Sequence, residues 1–491
     1  MTEGRLKRDL SLLQVTMLGV GGAVSAGVFI TLGHAASLAG NALIAVMIIC
    51  GIINFFTMLS YAELGAAIPR AGGEYTFSKV AFGGFLSFST GWFEWISNIF
   101  FTTFSALGFA YLLAYVVPTI NIPITAIIII AVFSLINLKG VREMGLAQTI
   151  LVLILVGILA TFVIAGLLSN PSSFQPSANP ATFFGLLRAT AFVFVVYLGG
   201  EAIAGAQEEI KKPNKTIPRA IILSSGILIA IYVSVTAIIF KFVPAEALAQ
   251  QTSPLAYVAN QFLGPIGVAI ITLAGIIAAL TSVNTSIMAH SRVAYALARD
   301  GYFPRQFTKV HKHFSTPFLT ILVGAIVTCA FAATGQVTFL TYATDFGFII
   351  GFVFVNLSLM RLRRTRPNLP RPFKIPLYPL TPVLGIASSL LLIVFLDPVT
   401  LLMGLSFFVF GLIVYYIRMV GSWTIRVAVG GMNLCVAFFA AVLAVLLFTN
   451  AMPLSISSQT SILLAAASVV VSVVCTAYVI VNVMINGSDE E

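Results

Sequence analysis

A chain of 491 residues in which 59% are hydrophobic and only 9% charged cannot fold as one soluble globule, because so few charges cannot cover that much apolar surface. Its mean hydropathy of +1.05 places it in a bilayer, where lipid solvates the outer faces. On a soluble protein the formal charge of +10 would suggest a nucleic-acid partner; here it follows from membrane topology, and no nucleic-acid partner is expected.

Gly, Pro and charge clusters divide the chain into about fourteen stretches long and apolar enough to span, each of roughly 20 residues. They run near 12–34, 41–67, 84–117, 122–138, 146–168, 182–207, 218–243, 265–298, 316–334, 338–360, 378–396, 399–418, 424–449 and 460–485. The first is too long for a cleavable leader and runs straight into further spans. The third and eighth are long enough to tilt or to run on past the membrane.

Counting spans from a cytoplasmic N-terminus places Arg5, Lys7, Arg8, Arg70, Lys79, Lys139, Arg142, Lys211, Lys212, Lys215 and Arg219 inside. Arg292, Arg299, Arg305, Lys309, Lys312, the cluster from Arg361 to Lys374, Arg418 and Arg426 follow on the same side. Only Arg188 and Lys241 fall in outer halves. This asymmetry predicts an even span count and a multi-pass protein of the cell membrane with both termini cytoplasmic. Cys50, Cys329, Cys435 and Cys475 are scattered through spans without metal-ligand spacing and read as small packing residues.

Outer connections are short, the longest being the Pro/Ser-rich 169–181; the acidic tail Asp489–Glu491 reads as solvated. The Pro-rich segment 365–382 marks the clearest boundary. It divides a ten-span unit, 1–377, from a four-span remainder, 378–491, whose expected role is packing or homodimer contacts. The ten spans divide into halves of five, 12–168 and 182–360. Span 1 is interrupted at Gly19-Val20-Gly21-Gly22 and again at Gly27. Span 6, which opens the second half, is interrupted at Gly199-Gly200 and again at Gly205. Either glycine cluster alone would be read as a close-packing surface. The pair, at matching positions of two halves, points to a mid-membrane transport site, where a polar ligand partners the freed backbone groups. A phosphate loop is excluded for Gly19–Gly22, since no strand precedes it.

On five segments the chain resembles the amino acid–polyamine–organocation permeases over its first ten spans and the Pro-rich loop. They are GGAVSAGVFITLG in span 1, PRAGGEYTFSKVAFG after span 2, YLGGEAIAGAQEEIKKPNKTIPRAI through span 6 and its exit, RVAYALARDGYFP leaving span 8, and RPNLPRPFKIPLYP after span 10. The count of fourteen is similar to the cationic amino acid transporter branch. The resemblance implies an all-α integral membrane fold: a leucine-transporter-type 5+5 inverted repeat with broken spans 1 and 6, plus four extra C-terminal spans. It implies that backbone amides around Ser25, Ala26 and Gly27 hold a substrate carboxylate at an exposed helix end. It implies that carbonyls near Val195, Val196 and Leu198 take the α-ammonium. Ser97, Asn98, Thr102, Gly200 and Asn284 are candidates for lining the side-chain pocket. Two positions depart from the family. Gly200 stands where many members carry an aromatic gate, and Leu155 stands where proton-coupled members carry a Lys.

The coupling ion is therefore open, between sodium, a proton and plain exchange. In sodium-coupled relatives of the fold, hydroxyls and carbonyls of spans 1 and 8 bind the ion. Ala278, Thr281 and Ser282 share one helix face at that spacing, with Gly21 and Val24 opposite. Charged residues inside spans default to functional roles. Glu201 is expected to brace the unwound backbone of span 6 and Glu94 to partner a nearby backbone or Arg. Asp345, with Arg188 or His34, is expected to form an outer gate, and Arg188 can instead snorkel to headgroups. Arg70, Glu74 and Tyr75 with Glu208 or Glu209 are expected at an inner gate.

These features predict a secondary active amino acid transporter working by alternating access. An exchanger or an organocation or polyamine transporter of the same fold is the alternative. A channel would need a continuous polar pore, which the broken spans with one caged site argue against, and a membrane sensor would not need paired breaks. No His-Glu-x-x-His or Gly-x-Ser-x-Gly motif suggests an enzyme, and no organic cofactor is expected.

Overall fold

In the computed structural model, the described residues are 8–70, 72–170, 182–251, 253–311, 314, 316–396 and 398–419, with part of 466–477. The chain divides into two compact units, Met1–Leu396 and Asp397–Glu491. The described residues are helical apart from turns and one isolated bridge. In chain order the helices are α1 (Leu12–Ala23), α2 (Gly27–Ile30), α3 (Leu32–Ala39), α4 (Leu43–Ala67), α5 (Gly73–Ala81), α6 (Gly84–Val116), α7 (Ile122–Lys139), α8 (Val141–Leu168) and α9 (Phe183–Val193). Then come α10 (Ala202–Gly205), α11 (Pro213–Phe242), α12 (Ala245–Ala249), α13 (Pro254–Arg299), α14 (Phe318–Ala332), α15 (Val337–Thr365), α16 (Leu380–Val394) and α17 (Pro398–Met419).

Among the described residues, nine helical segments are long and apolar enough to cross a membrane, and Phe318–Ala332, Leu380–Val394 and Gly404–Tyr415 are shorter apolar helices. The protein is therefore a multi-pass membrane protein. The expected span 424–449, most of the expected span 460–485, Cys435, Cys475 and most of the loop 169–181 lie outside the described residues. Described residues Cys50 and Cys329 are free thiols.

Local chemistry sets the boundaries. Ser11 and Gln14 form a reciprocal capping box at the start of α1. Asn121 caps α7, with Pro123 in its first turn, and Thr182 caps α9. Gly264, at φ +62°, separates a short leading helix from the long span beginning at Pro265 within α13. The Lys241 ammonium donates to the carbonyls of Gly166, Leu167 and Ser169, satisfying the open end of α8.

The most apolar window of Gly84–Ala114 is 89% buried, whereas that of Ile122–Lys139 is 22% buried, so α6 lies at the centre and α7 faces lipid. α6 packs against α13 and α15; α4 packs against α11; α1 lies against α8, α11 and α13. α16 packs on α15 and α4, so the first compact unit reaches past the Pro-rich segment to Leu396. Before α1, Leu10 pairs with Ile210, tying the entry of span 1 to the exit of span 6. The face carrying this bridge is called the N-terminal face below, and the opposite one the far face.

Candidate site at the two broken spans

α1 stops at Ala23 and the helix resumes only at Gly27, so span 1 breaks at Val24–Ala26, whereas Gly19–Gly22, expected to interrupt it, are helical and serve its close packing. Thr31 donates to the Gly27 carbonyl through its N–H at 2.8 Å and its hydroxyl at 2.7 Å. The Gly27 N–H donates to Ser25 Oγ at 3.1 Å. No acceptor among the described residues takes the N–H of Ser25 or Ala26, and both residues are fully buried. Two adjacent donors at a helix start inside apolar surroundings favour an anion or a carbonyl-bearing ligand.

The second break is longer. After α9 comes a 3-10 turn, Phe194–Tyr197; Leu198 is extended, and Gly199 takes φ +113°, which favours glycine. The Glu201 carboxylate folds back and accepts the Gly199 N–H through both oxygens, at 2.8 and 2.9 Å. The Val195 carbonyl accepts the Leu198 N–H at 3.2 Å. The Val196 carbonyl accepts from the Tyr232 hydroxyl of α11 at 2.7 Å, and the same hydroxyl lies 3.1 Å from the Ala23 carbonyl oxygen.

The two breaks touch. A Cβ on Gly22 would lie 2.4 Å from the Gly199 carbonyl oxygen, and one on Gly199 would lie 2.2 Å from the Gly22 oxygen. A Cβ on Gly27 would lie 3.3 Å from Val196 Cγ1. Ala26 seats its methyl where a Cβ on Gly108 of α6 would come within 2.3 Å. Glycine is thus required where backbone meets backbone. At Gly200, by contrast, a Cβ would meet only Met58 Sδ, at 3.7 Å.

The other candidates fall in three places. Asn98 donates to the Glu94 carbonyl at 2.8 Å, and the hydroxyls of Thr102 and Ser286 bond at 2.8 Å, joining α6 to α13. The Ser97 hydroxyl is buried without a hydrogen-bond partner among the described residues. Asn284 is turned the other way. Its amide nitrogen donates to Gln148 at 3.1 Å and its oxygen accepts from Asn137 at 2.9 Å, within a buried amide chain linking α7, α8 and α13. Gln148 in turn donates to Thr285 at 2.9 Å. Of the sodium candidates, Thr281 donates to the Ala278 carbonyl at 2.9 Å and Ser282 approaches the Ala278 and Ala279 carbonyls at 3.1 and 3.0 Å. Val24 donates its N–H to Val20 at 2.8 Å, and Gly21 lies against Val152 and Gln148 of α8, the helix that also carries buried Leu155.

On the far face, a cavity of about 570 Å³ reaches Thr31, between α2 and α3. Ile30, His34, Tyr111, Phe192 and Thr341 also line it. His34 packs edge-on against Phe192, and Phe192 against Tyr342. Asp345 sits one turn beyond Thr341, fully buried, with neither carboxyl oxygen partnered among the described residues. Arg188 is exposed, and no ion pair joins it or His34 to Asp345.

On the N-terminal face, several side chains bond to the end of α13. Tyr75 donates to Asp300 at 2.5 Å, and Lys79 pairs with the same carboxylate. Arg292 pairs with Glu209 at 3.2 Å, both buried, and Arg299 with Glu208 at 3.6 Å. Burial pushes the Glu209 carboxyl up, and the Arg292 guanidinium pulls it back down. Burial also pushes the Tyr75 hydroxyl up, with Asp300 adding to it. Glu74 instead accepts from Tyr61, and Glu94 accepts the Tyr75 N–H at 3.0 Å, so both acids serve α5. Arg70 is exposed. Sequence reasoning did not single out Tyr232, Gln148, Asn137, Arg292 or Asp300. Gln148 and Asn137 carried a signal, being amides inside apolar stretches.

A profile described as "Amino acid permease" matches residues 10–414. The chain is 29% identical over 439 residues to the branched-chain amino acid permease BcaP of Bacillus subtilis, covering 84% of this chain and 94% of that protein. It is 28% identical to the methylthioribose transporter of the same organism, covering 84% and 93%. It is 27% identical to the mouse cationic amino acid transporter 4, covering 75% and 62%. With both broken helices and most of the chain inside the matched region, this protein belongs to the amino acid permease family of membrane transport proteins.

Proposed function

We propose that this protein is a secondary transporter that moves α-amino acids with neutral, apolar side chains across the cell membrane by alternating access. The observation that carries the reading is the pair of breaks meeting at Gly22 and Gly199, with two buried N–H donors left free at Ser25 and Ala26. Those donors and the Gly27 amide suit a carboxylate. The carbonyls of Val195, Val196 and Leu198 suit an ammonium, the first two by exchanging their present donors. Apolar groups surround this point, with Phe104 and Val196 close to Gly27 and Met58 beside the open space at Gly200. An apolar substrate side chain fits that lining. The names of relatives that act on branched-chain amino acids agree with it.

The N-terminal face is proposed as cytoplasmic, with the C-terminus on the same side. Residues 12–168 and 182–360 are proposed as inverted five-span repeats, followed by four further spans that bring the total to fourteen and offer a homodimer surface. In the conformation described, the far side holds the cavity and the N-terminal side holds the ion pairs, which fits a state approached from outside. A far-side gate of Asp345 with Arg188 or His34 is a competing role for that carboxylate, and loss of counterflow on neutralising it would mark that role. Sodium at Gly21, Val24, Ala278, Thr281 and Ser282, and ion-independent exchange, are competing modes of energisation.

A second reading has its own observation. A relative matching almost end to end bears the name of a transporter of methylthioribose, which has no α-amino carboxylate. The deciding experiment is counterflow in proteoliposomes with labelled leucine, competed by each of the twenty amino acids, by putrescine and by methylthioribose. Ligand stabilisation of the purified protein gives a parallel readout. Competition by apolar amino acids supports the proposal. Competition by methylthioribose alone, or by putrescine alone, overturns it.

A further inference from the structure

Asp345 is a carboxyl group without visible means of staying charged. It is fully buried, and both of its oxygens lack a hydrogen-bond partner among the described residues. Every helix packed against α15 was a source of partners, and none provides one. α4 carries Cys50, Tyr61 and Glu63, and Glu63 is held by Arg363 and Arg371. α5 carries Glu74, Tyr75 and Lys79, which bond to Tyr61 and Asp300 as described. α6 carries Glu94, bonded to the start of α5, and Tyr111 at the cavity. The turn Phe194–Tyr197 carries Tyr197, which donates to the Met47 carbonyl at 2.8 Å. α9 carries Arg188, which is exposed, and α16 carries no titratable side chain. Cys50 donates to the Thr190 carbonyl at 3.5 Å and is no counter-ion.

An ionised carboxylate in such a place is penalised far more heavily than a neutral acid, and a single bound proton removes the charge without needing any space. The way in is short. Thr341, one helical turn away, lines the cavity that opens to the far face. We propose that Asp345 is the proton-binding site through which this transporter couples substrate uptake to a proton gradient, taking the part that a span-5 Lys would otherwise play at Leu155. The inference rests on the transport reading above. In each cycle the carboxylate takes one proton from hydronium in the far-face cavity, leaving water, is sealed as the neutral acid, and gives the proton to water on the other side. No electron moves and no other bond is made or broken.

The test uses the full chain in proteoliposomes with labelled leucine. Counterflow needs no net proton movement, whereas accumulation driven by an inward proton gradient does. The expected result is that wild type does both. Asp345→Asn, a fixed mimic of the neutral acid, continues counterflow but loses gradient-driven accumulation. Asp345→Glu regains accumulation with a displaced pH dependence. Accumulation by Asp345→Asn equal to wild type overturns the proposal. So does wild-type counterflow with no response to a proton gradient, and a sodium gradient that alone drives accumulation would then assign the coupling to the Thr281 and Ser282 region. Loss of counterflow in Asp345→Asn, with leucine still raising its melting temperature, also overturns it and marks the carboxylate as a gate partner. Absence of wild-type counterflow with any amino acid sinks the transport reading instead.

Discussion

The Tyr232 hydroxyl donates to the Val196 carbonyl at 2.7 Å and stands 3.1 Å from the carbonyl of Ala23, so one side chain of α11 holds a carbonyl from each broken helix. Tyr197 braces the arrangement with its ring edge-on to Tyr232 at 4.9 Å. A phenol has one proton, so it satisfies one carbonyl at a time and leaves the other available. Tyr232→Phe keeps the ring and removes the donor. Leaving a buried carbonyl unsatisfied costs about 1–3 kcal/mol, which lowers the melting temperature of the free protein. A ligand ammonium would occupy the vacated carbonyl, so saturating leucine should restore more stability to the variant than to wild type. Equal ligand shifts in the two proteins would reduce Tyr232 to a structural bond.

Three neighbouring glycines should behave differently. Gly22→Ala and Gly199→Ala place a methyl 2.4 and 2.2 Å from backbone oxygen, and Gly199 also sits at φ +113°. Backbone cannot yield as a side chain does, so the two breaks must part. Both variants should insert in the membrane and lose leucine counterflow. Gly200→Ala meets only Met58 Sδ at 3.7 Å and should transport, while Gly200→Phe fills the open space and should favour smaller substrates. The check is competition by alanine against leucine. Similar losses for Gly199→Ala and Gly200→Ala would contradict the contact geometry.

How much of this was legible beforehand depended on the physical signal. Spans such as Gly84–Val116 and Ile122–Lys139 were readable almost to the residue, because bilayer thickness imposes a minimum apolar length. The neighbourhood of each break was readable because lipid penalises unwound backbone, but in span 1 the break falls at Val24–Ala26, just after the helical Gly19–Gly22. The roles of polar side chains within the spans were not readable. Asn284 was expected among the pocket residues; its amide bonds to Gln148 and Asn137, a partnership between helices far apart in sequence that no spacing encodes. The bonding on the N-terminal face was half visible. Tyr75, Glu208 and Glu209 were singled out, but their partners Asp300, Arg299 and Arg292 come from the end of a helix more than 80 residues away. Basic residues there had been fully accounted for by topology, which hid their pairing.

Glu63 predicts a stability effect remote from the site. It is fully buried on α4, and Arg363 clamps it through bonds of 2.8 and 2.5 Å. Arg371 lies 3.4 Å from it, and the Ile375 N–H donates to it at 2.8 Å. This one carboxylate therefore fixes the Pro-rich segment to the transport unit. Removing one partner of a buried pair leaves the other charge uncompensated, at about 3–5 kcal/mol. Glu63→Gln should lower the melting temperature strongly and expose the 366–375 segment to protease. Arg371→Lys, which forfeits the planar fork and its bonds to the Leu362 and Arg366 carbonyls, should do so more mildly. Limited proteolysis followed by mass mapping reads both effects.

Glu74 predicts the sign of a pH effect. It lies on α5 outside the spanning segments, fully buried, and burial pushes its carboxyl well above the usual carboxylate range, with the Glu94 and Glu201 charges adding and the Tyr61 hydrogen bond opposing. The folded state thus holds this proton more tightly than the unfolded state. Stability from this group is complete below the ordinary Glu range and is lost as pH rises through the raised folded value. The melting temperature of the detergent-purified protein should therefore fall as pH is raised from the ordinary Glu range into the alkaline range. Glu74→Gln cannot ionise, so its melting curve should be flatter over that interval and should cross above wild type at the alkaline end. A variant with the same slope as wild type would assign the pH dependence to another group.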